Sequence, residues 1–493
     1  MSKNYRVTRN PRLLLFAAAL AVVSTVSAAD TRDITTMALV RDMGLGINLG
    51  NTFDAVIVCD QGDQGCENWV NGMATLETSW GSPAITEAMI KGYADAGFKT
   101  VRVPVAWSNK MTGDAHNGTY TISPALLNRI QEIVDWVLGN GMYAIVNIHW
   151  DGGWWENFPT DSAECMRKYA RIWEQVGGHF KDYSDYLVFE SLNEEGVWQS
   201  VWNQYNNTGN KARAFGLLNA INQTFTNLIR NSGGNNADRH LLIAGYATNI
   251  DHTCDPAFIM PTDPKNRCAV SVHYYDPFGF THLEQNESWA QMRLTWGTPA
   301  DYDDLNSYMD KMKTNFVDKG IPVIIGEYGF AYSNYTSKPS ALRPQSEIRK
   351  YTLAVAEAIY SRNMCPVLWD VQLKTDGSET LYYYNRQTAS FVDPDLVTGF
   401  KAIAPTTAVR DKFSGGKAAV QRPSVAVRGR TLSVSSFDTD VNVRMIDVKG
   451  KVRARFRASG SGSFSIDKIP AGRYLIEVRG AGIGKVTSAI IVK

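Results

Sequence analysis

Two glutamates stand at the ends of apolar segments typical of buried strands. Glu194 closes the run Leu192-Asn193-Glu194, and Glu327 closes Ile325-Gly326-Glu327. A carboxylate at such a place is costly without partners, so either residue alone could belong to a structural ion pair. Two such carboxylates, each at the end of a predicted strand, indicate a functional site. Retaining glycoside hydrolysis needs this chemistry: one carboxyl group as acid and a second, about 5 to 5.5 Å away, as nucleophile.

Two further glutamates lie close to Glu194 in the sequence. We expect Glu195 and Glu190 to be bystanders. Glu190 alternates with Glu194 along the predicted strand, however, so spacing alone allows both side chains to point to the same side.

Eight short runs rich in β-branched and aromatic residues alternate with helical stretches, which is the pattern of repeated βα units. The predicted strands cover residues 46–53, 99–107, 143–150, 186–194, 240–246, 268–275, 322–330 and 365–372. Predicted helices cover residues 85–96, 125–138, 166–180, 212–229, 308–317 and 347–360. Eight such units predict an α/β fold, the (β/α)₈ TIM barrel, whose reaction site lies at the carboxyl ends of its strands.

The two ends of the chain differ from this barrel. Arg6, Arg9 and Arg12 precede an apolar run over residues 13–23 and small residues before Asp30, the order of a secretory signal. The run is too short to span a bilayer. After about residue 405 short alternating runs predict a small β-sandwich. We therefore predict a signal peptide at 1–29, a catalytic barrel at 30–410, a linker at 411–424 and a C-terminal domain at 425–493.

Overall composition points to an uncharged partner. The chain has 493 residues and a formal net charge of +1, so nothing draws it to nucleic acid or anionic lipid. Thirteen Trp and 22 Tyr provide flat rings that suit sugar faces. We expect a secreted monomer without a membrane span.

Cysteine positions suggest disulfides rather than a metal site. In an oxidising compartment, Cys59 with Cys66 and Cys254 with Cys268 each bracket a short segment and are expected to pair. Cys165 and Cys365 are expected to be buried thiols. No Cys/His cluster has ligand spacing, so neither a metal nor a cofactor is expected.

Six motifs on successive predicted strands together resemble glycoside hydrolase family 5. They are Asn48-Leu49-Gly50-Asn51-Thr52-Phe53, Val101-Arg102-Val103-Pro104, Asn147-Ile148-His149, Asn193-Glu194, His273-Tyr274-Tyr275 and Gly326-Glu327. The resemblance implies that Glu194 is the acid/base and Glu327 the nucleophile. It also implies that Trp369 forms the floor under the sugar next to the cut, and Asn51 belongs to the same set of motifs.

Other residues near the strand ends are expected to support these two carboxylates. Arg102 and Tyr275 are placed to hydrogen-bond Glu327, and Arg102 would lower the pKa of that carboxyl group. Asn193 is placed to donate to the substrate hydroxyl beside the reacting carbon. His149 and His273 are expected to line the cleft, although each could instead be structural. Tryptophans after strands three and four are expected in the cleft walls, some of them stacked on sugars: Trp150, Trp154, Trp155, Trp198 and Trp202.

Glu77-Thr78-Ser79-Trp80-Gly81 and the segment from His273 to Pro277 look most like the endoglucanase branch of the family. That likeness implies endo-acting cleavage of β-1,4-glucan in cellulose and related β-glucans. Xyloglucan, xylan and mannan remain alternative substrates. Two other classes stay open: a sugar-binding barrel without catalysis, and a metal-dependent hydrolase.

The C-terminal residues 425–493 resemble sorting domains of secreted bacterial proteins. The likeness implies a partner in the secretion machinery or at the cell surface, and hence an extracellular or cell-surface location. A carbohydrate-binding module is the rival interpretation, but this stretch has no Trp and Tyr474 is its only tyrosine. A plain structural cap is the third possibility.

Overall fold

The computed structural model describes the barrel region at residues 32–56, 73–205, 207–330, 338–371 and 382–404. In the C-terminal region it describes residues 424–428, 431–435, 440–447, 451–459, 462–480 and 484–492. The predicted signal peptide, Cys59 and Cys66, and the predicted linker before residue 424 lie outside the described residues.

Eight parallel strands close into a barrel, which confirms the predicted fold. In chain order they are β1 (Gly46–Asn48), β2 (Thr100–Val103), β3 (Tyr143–Asn147), β4 (Leu187–Glu190), β5 (Leu241–Ala244), β6 (Cys268–Tyr274), β7 (Val323–Tyr328) and β8 (Cys365–Leu368). Around the barrel the order is β1-β8-β7-β6-β5-β4-β3-β2. β7 therefore lies between β6 and β8, which decides what flanks Glu327.

Helices connect the strands on the outside of the barrel. They are α1 (Thr36–Asp42), α2 (Met73–Thr78), α3 (Glu87–Ala96), α4 (Pro124–Gly139), α5 (Ser162–His179), α6 (Lys211–Asn231), α7 (Ile250–Thr253), α8 (Phe278–Thr281), α9 (Pro299–Asn315), α10 (Gln345–Tyr360) and α11 (Pro394–Ile403). Short 3₁₀ turns lie at Trp107–Lys110, Asp151–Asn157, Gly234–Ala237, Tyr246–Thr248, Val317–Lys319 and Pro339–Leu342. The helix starts follow local sequence: Ser123 caps α4 ahead of Pro124, and Thr298 caps α9 ahead of Pro299.

Two apolar layers hold the barrel together. The larger one packs the outward side chains of the strands against the helices. The smaller one fills the interior near the amino ends of the strands, where Leu39 and Val40 of α1 contact Ile145, Val188 and Leu242. Because α1 closes that end with apolar side chains, the polar residues of the interior lie toward the carboxyl ends.

The hydrogen-bonded strands end earlier than the sequence predicts. β4 stops at Glu190 rather than 194, and β8 stops at Leu368 rather than 372. The residues beyond these ends include Glu194 and Trp369, which therefore stand above the barrel on short irregular segments.

The predicted disulfide between Cys254 and Cys268 is wrong, because both thiols are free. Cys268 is level with Leu241, the first residue of β5. Thr253, next to Cys254, packs against Gly245 just past the other end of β5. Four residues of strand span about 13 Å, and a disulfide needs Cα atoms within about 7 Å. Cys165 and Cys365 are free and buried, as predicted.

The described C-terminal residues form two antiparallel sheets. One has the order β9-β10-β13, made of Ser424–Arg428, Thr431–Ser435 and Gly462–Ser465. The other has the order β12-β11-β14-β15, made of Val452–Ser459, Asp440–Asp447, Gly472–Gly480 and Gly484–Val492. Phe456 and Phe464 stack between the sheets with ring centroids 4.6 Å apart. Within the ranges described, no helix is long and apolar enough to cross a membrane.

Candidate active site

Arg102 is the centre of a buried polar network at the carboxyl end of the barrel. Its guanidinium donates to Glu190 Oε2 at 2.6 Å, to Glu327 Oε1 at 2.8 Å, to Asn193 Oδ1 at 2.9 Å and to Asn48 Oδ1 at 3.1 Å. An arginine in a low-dielectric interior is tolerated when its donors are satisfied and its charge is balanced. These four acceptors satisfy the donors, and the two carboxylates among them balance the charge. The network also fixes Glu327 and Asn193 relative to one another.

Glu327 has a donor on each carboxylate oxygen. Arg102 binds Oε1, and the Tyr275 hydroxyl donates to Oε2 at 2.9 Å. β6 contributes Tyr275 just past its end, and β7 carries Glu327 itself. The two hydrogen bonds hold the carboxylate in one orientation, with its face toward the mouth of the barrel.

Glu194 faces Glu327 across the mouth, and His273 lies between them. His273 Nδ1 is 2.7 Å from Glu194 Oε1 and 3.6 Å from Glu327 Oε2. One ligand atom from each of these three residues lies within 4.8 Å of the others. Carboxylates about 5 to 5.5 Å apart suit a retaining mechanism, whereas inverting enzymes need about 6.5 to 9.5 Å. The spacing fits double displacement, and it is also a spacing at which such groups can hold a metal ion.

The protonation of Glu194 and that of Glu327 depend on each other, because the two carboxyl groups are so close. Arg102 acts to lower the pKa of Glu327, as predicted, and so does His273. Desolvation, together with the charge of Glu194, outweighs both, so the pKa of Glu327 is raised. Desolvation also raises the pKa of Glu194, but the hydrogen bond and charge of His273 outweigh it and lower that pKa. His273 hydrogen-bonds Glu194 rather than Glu327, and the pKa values of the two carboxyl groups shift in opposite directions.

Trp369 forms an apolar surface on the β8 side of Glu327. Its ring stacks on His149, with centroids 5.6 Å apart and an interplanar angle of 6°. Gly50 makes this approach possible, because a β-carbon there would lie 2.8 Å from the Trp369 ring. Asn51 is connected to His149 through Asp54. Its backbone N–H donates to Asp54 Oδ2, which lies 4.0 Å from His149 Nε2.

The tryptophans predicted for the cleft walls fall into two groups. Trp150 is exposed, whereas Trp154 packs on Phe158 and has the Lys168 ammonium over its ring. Trp155, Trp198 and Trp202, which were also expected in the walls, are buried and belong to the apolar core cluster. The Trp198 ring packs on Phe158 and Tyr246, and the Trp202 ring packs on Tyr246 and on Phe215 of α6.

Glu190 and Glu195 make more contacts near the site than the sequence predicts. Glu190 is fully buried and accepts hydrogen bonds from Asn147 and Ser271 as well as from Arg102. Its alternation with Glu194 was the available signal. Glu195 is also buried, and its Oε2 accepts the Asn193 N–H at 2.6 Å, which holds the turn before Glu194. Neither is a bystander.

A barrel that presents two facing carboxylates beside an aromatic floor defines a glycoside hydrolase. Residues 60–374 match the family described as cellulase, glycosyl hydrolase family 5. The chain belongs to this family. It is an enzyme that hydrolyses glycosidic bonds.

Individual relatives cover most of the chain. It is 36% identical over 394 residues to endoglucanase A of Paenibacillus barcinonensis, a match that spans 75% of this chain and 90% of the relative. A xyloglucan-specific endo-beta-1,4-glucanase of Bacteroides ovatus is 31% identical, over 69% of this chain and 65% of its own. A solved structure, a broad specificity endoglucanase from an uncultured bovine rumen ciliate, is 33% identical with a TM-score of 0.64. It covers 75% of this chain and 98% of that one.

Proposed function

We propose that the protein is a retaining endo-acting glycoside hydrolase that cleaves β-1,4-glucosidic bonds in cellulose and related β-glucans by double displacement. The observation that carries the proposal is the pair Glu194 and Glu327, which face each other within 4.8 Å across the mouth of the barrel. Trp369 and His149 provide a stacked surface beside this pair for the sugar ring.

In the first step Glu327 attacks the anomeric carbon while Glu194 gives its proton to the leaving oxygen. Arg102 and Tyr275 hold the attacking carboxylate in place by donating to its two oxygens. Asn193 Oδ1 is occupied by Arg102, so its amide N–H₂ is the end that donates to the hydroxyl next to the anomeric carbon. That hydrogen bond strengthens as positive charge develops on the sugar.

In the second step Glu194 takes a proton from water, which attacks the same carbon and releases Glu327. Glu194 suits both tasks because its side chain is about half exposed (51%) and therefore reachable by water.

Xyloglucan is the second candidate substrate, supported by the xyloglucan-specific relative. Xylan and mannan follow as alternatives within the family. Loop shape at each subsite decides between such substrates.

The experiment is release of new sugar ends from soluble cellulose, mixed-linkage glucan, xyloglucan, xylan and mannan by the wild type and by Glu327→Gln. A fall in viscosity that precedes the release of sugar ends identifies endo action. The proposal expects cleavage of the glucans by the wild type and a loss of several orders of magnitude in the variant. If neither protein cuts any of the five, the chain is a sugar-binding barrel without catalysis.

We further propose that the enzyme is secreted and that residues 425–493 serve in export or surface attachment. The only tyrosine of this region, Tyr474, is buried and its hydroxyl donates to the Pro470 carbonyl oxygen, so it offers no platform for a sugar. Mass spectrometry of the protein from the medium and from the cell surface of its source tests this. Molecules that start near Asp30 are expected. A full-length protein confined to the cytoplasm would contradict the proposal.

A further inference from the structure

An exposed pair of aromatic rings lies on the β6 side of the site. Trp289 is 67% exposed and Phe278 is 42% exposed, and their ring centroids are 5.7 Å apart. Single exposed rings are common on proteins, but adjacent exposed rings form a contiguous apolar patch, and such patches mark contact sites. The pair stands at the opposite side of β7 from Trp369, because β7 lies between β6 and β8.

Ring contacts join this pair to the nucleophile. Phe278 stacks on His282 with centroids 4.4 Å apart and an interplanar angle of 4°. His282 in turn meets the edge of Tyr275 at 4.9 Å, and Tyr275 donates to Glu327. A chain of ring contacts therefore leads from Tyr275, beside Glu327, to the exposed Trp289. We call Phe278, His282 and Trp289 the β6 shelf.

The segment that bears the β6 shelf is held in place by hydrogen bonds. Arg343 donates to the Gly279 and Arg293 carbonyl oxygens, at 3.1 and 2.7 Å. The turn around Trp289 is closed by the Glu287 N–H to the Ala290 carbonyl at 2.9 Å. A preformed surface binds a ligand with less ordering cost than a loop that must fold on contact.

His282 presents a hydrogen-bond acceptor. The Thr281 hydroxyl donates its one proton to the Tyr275 carbonyl at 2.5 Å, so the 2.9 Å contact between Thr281 Oγ1 and His282 Nδ1 needs the proton on Nδ1. Burial lowers the pKa of His282 to about 4, so the ring is neutral at pH 7. Its Nε2 then carries a lone pair that can accept from a hydroxyl group.

The position of Glu194 tells which part of the substrate meets this surface. Glu194 hydrogen-bonds His273 of β6, and its charge also acts on His282. An acid that protonates the leaving oxygen must lie on the leaving-group side of the reacting sugar. The β6 shelf follows the strand of His273, the partner of Glu194, whereas Trp369 follows β8 on the other side of β7.

We infer that the β6 shelf binds the glucosyl units on the leaving-group side of the cut bond, with Trp289 and Phe278 stacked on sugar faces and His282 Nε2 accepting from a sugar hydroxyl. The inference rests on the proposed function and adds the residues that hold the departing half of the chain. Such units are present in a polysaccharide or a long oligosaccharide and absent from an aryl glycoside.

The test compares kcat/KM for cellohexaose with that for nitrophenyl β-cellotrioside, whose leaving group has no sugar. In Trp289→Ala, kcat/KM for cellohexaose is expected to fall about tenfold, which is the size of one lost stacking contact. The value for the aryl glycoside is expected to stay within about twofold of the wild type. His282→Phe keeps the ring and removes the acceptor, and it is expected to show the same selectivity. Trp136→Ala is the matched control, because Trp136 lies on α4 after β2, across the barrel from β6.

Two results would overturn the inference. Cellohexaose cleavage by Trp289→Ala and His282→Phe at the wild-type rate would mean that no sugar contacts the shelf. An equal fall on both substrates would mean that the rings serve only the local structure. A wild-type protein that cuts neither substrate would instead refute the proposed function itself, so the two failures are distinguishable.

Discussion

Arg102 Nε lies 2.6 Å from Glu190 Oε2, and both side chains are completely excluded from solvent. The same guanidinium also binds Glu327. Glu190 and Glu327 therefore share the arginine charge, and Glu327 contacts a guanidinium that has a second carboxylate partner. This arrangement lets the enzyme bury a cation beside its nucleophile without tying that nucleophile in an exclusive ion pair.

Glu190→Gln is expected to destabilise the barrel, because it leaves a buried guanidinium short of one negative charge. Breaking a buried pair from one side costs about 3 kcal/mol. Urea unfolding followed by tryptophan fluorescence measures the loss. Asp95→Asn breaks the solvent-exposed pair with Lys91 and serves as control, with an expected change of no more than about 0.5 kcal/mol. Equal losses in the two variants would show that Glu190 has no special role.

The rates of the Glu194→Gln and Glu327→Gln variants are expected to depend differently on the leaving group of the substrate. In Glu194→Gln the rate on polysaccharide should fall about 10² to 10⁴-fold, because no acid protonates the leaving oxygen. Nitrophenol departs without that help, so a burst of one nitrophenol per enzyme should precede slow turnover of the glycosyl-enzyme. Glu327→Gln should give neither burst nor turnover. Stopped-flow absorbance measures the burst.

Glu357, exposed on α10, provides the matched glutamine control for these two variants. Its variant should keep wild-type rates on both kinds of substrate. A burst in Glu327→Gln, or none in Glu194→Gln, would contradict the assignment of roles.

Asp54 is expected to make stability depend on pH. Burial raises its pKa from 3.8 to about 6, so between pH 4 and 6 the folded state binds more protons than the unfolded state. The free energy of unfolding must then fall as pH rises through this window. The contribution is on the order of 2 kcal/mol. Urea unfolding at pH 4, 5, 6 and 7 should show a flatter curve for Asp54→Asn, whereas parallel curves would contradict the shift.

The sequence predicted the features that depend on strand periodicity and on charge in apolar runs. Eight strands and the positions of Glu194 and Glu327 at the barrel mouth followed from these patterns. α9 was harder to delimit: its predicted start at 308 is late because acidic residues in its first half, Asp301, Asp303 and Asp304, hide the apolar period. Helix capping by Thr298 was the better signal there.

Features that depend on loop paths could not be predicted in the same way. Trp198 and Trp202 follow β4 as cleft residues would, yet their rings pack around Tyr246 in the core. Phe278 and His282 stack because they lie one helical turn apart at α8. The β6 shelf could not be predicted as a whole, because Trp289 reaches Phe278 only through the path of the following loop.

Free thiols give a test of the cysteine arrangement. Alkylation of the unfolded, unreduced protein should label Cys165, Cys254, Cys268 and Cys365, because the structure leaves all four unpaired. Cys59 and Cys66 should stay unlabelled if their predicted disulfide forms. Peptide mass spectrometry before and after reduction reads both results. Cys254 and Cys268 that become labelled only after reduction would contradict the fold around β5.

Removal of metal ions is expected to leave the rate unchanged, even though Glu194, His273 and Glu327 have ligand atoms close enough to hold a cation. Both oxygens of Glu327 are already bound, one of them to the Arg102 guanidinium at 2.8 Å. A cation bound there would lie near the Arg102 guanidinium, and the two positive charges would repel each other. The measurement is sugar-end release after dialysis against a chelator, with and without added zinc or calcium. A loss of activity that one of these metals restores would show that the site works as a metal centre, and the double-displacement mechanism would then have to be abandoned.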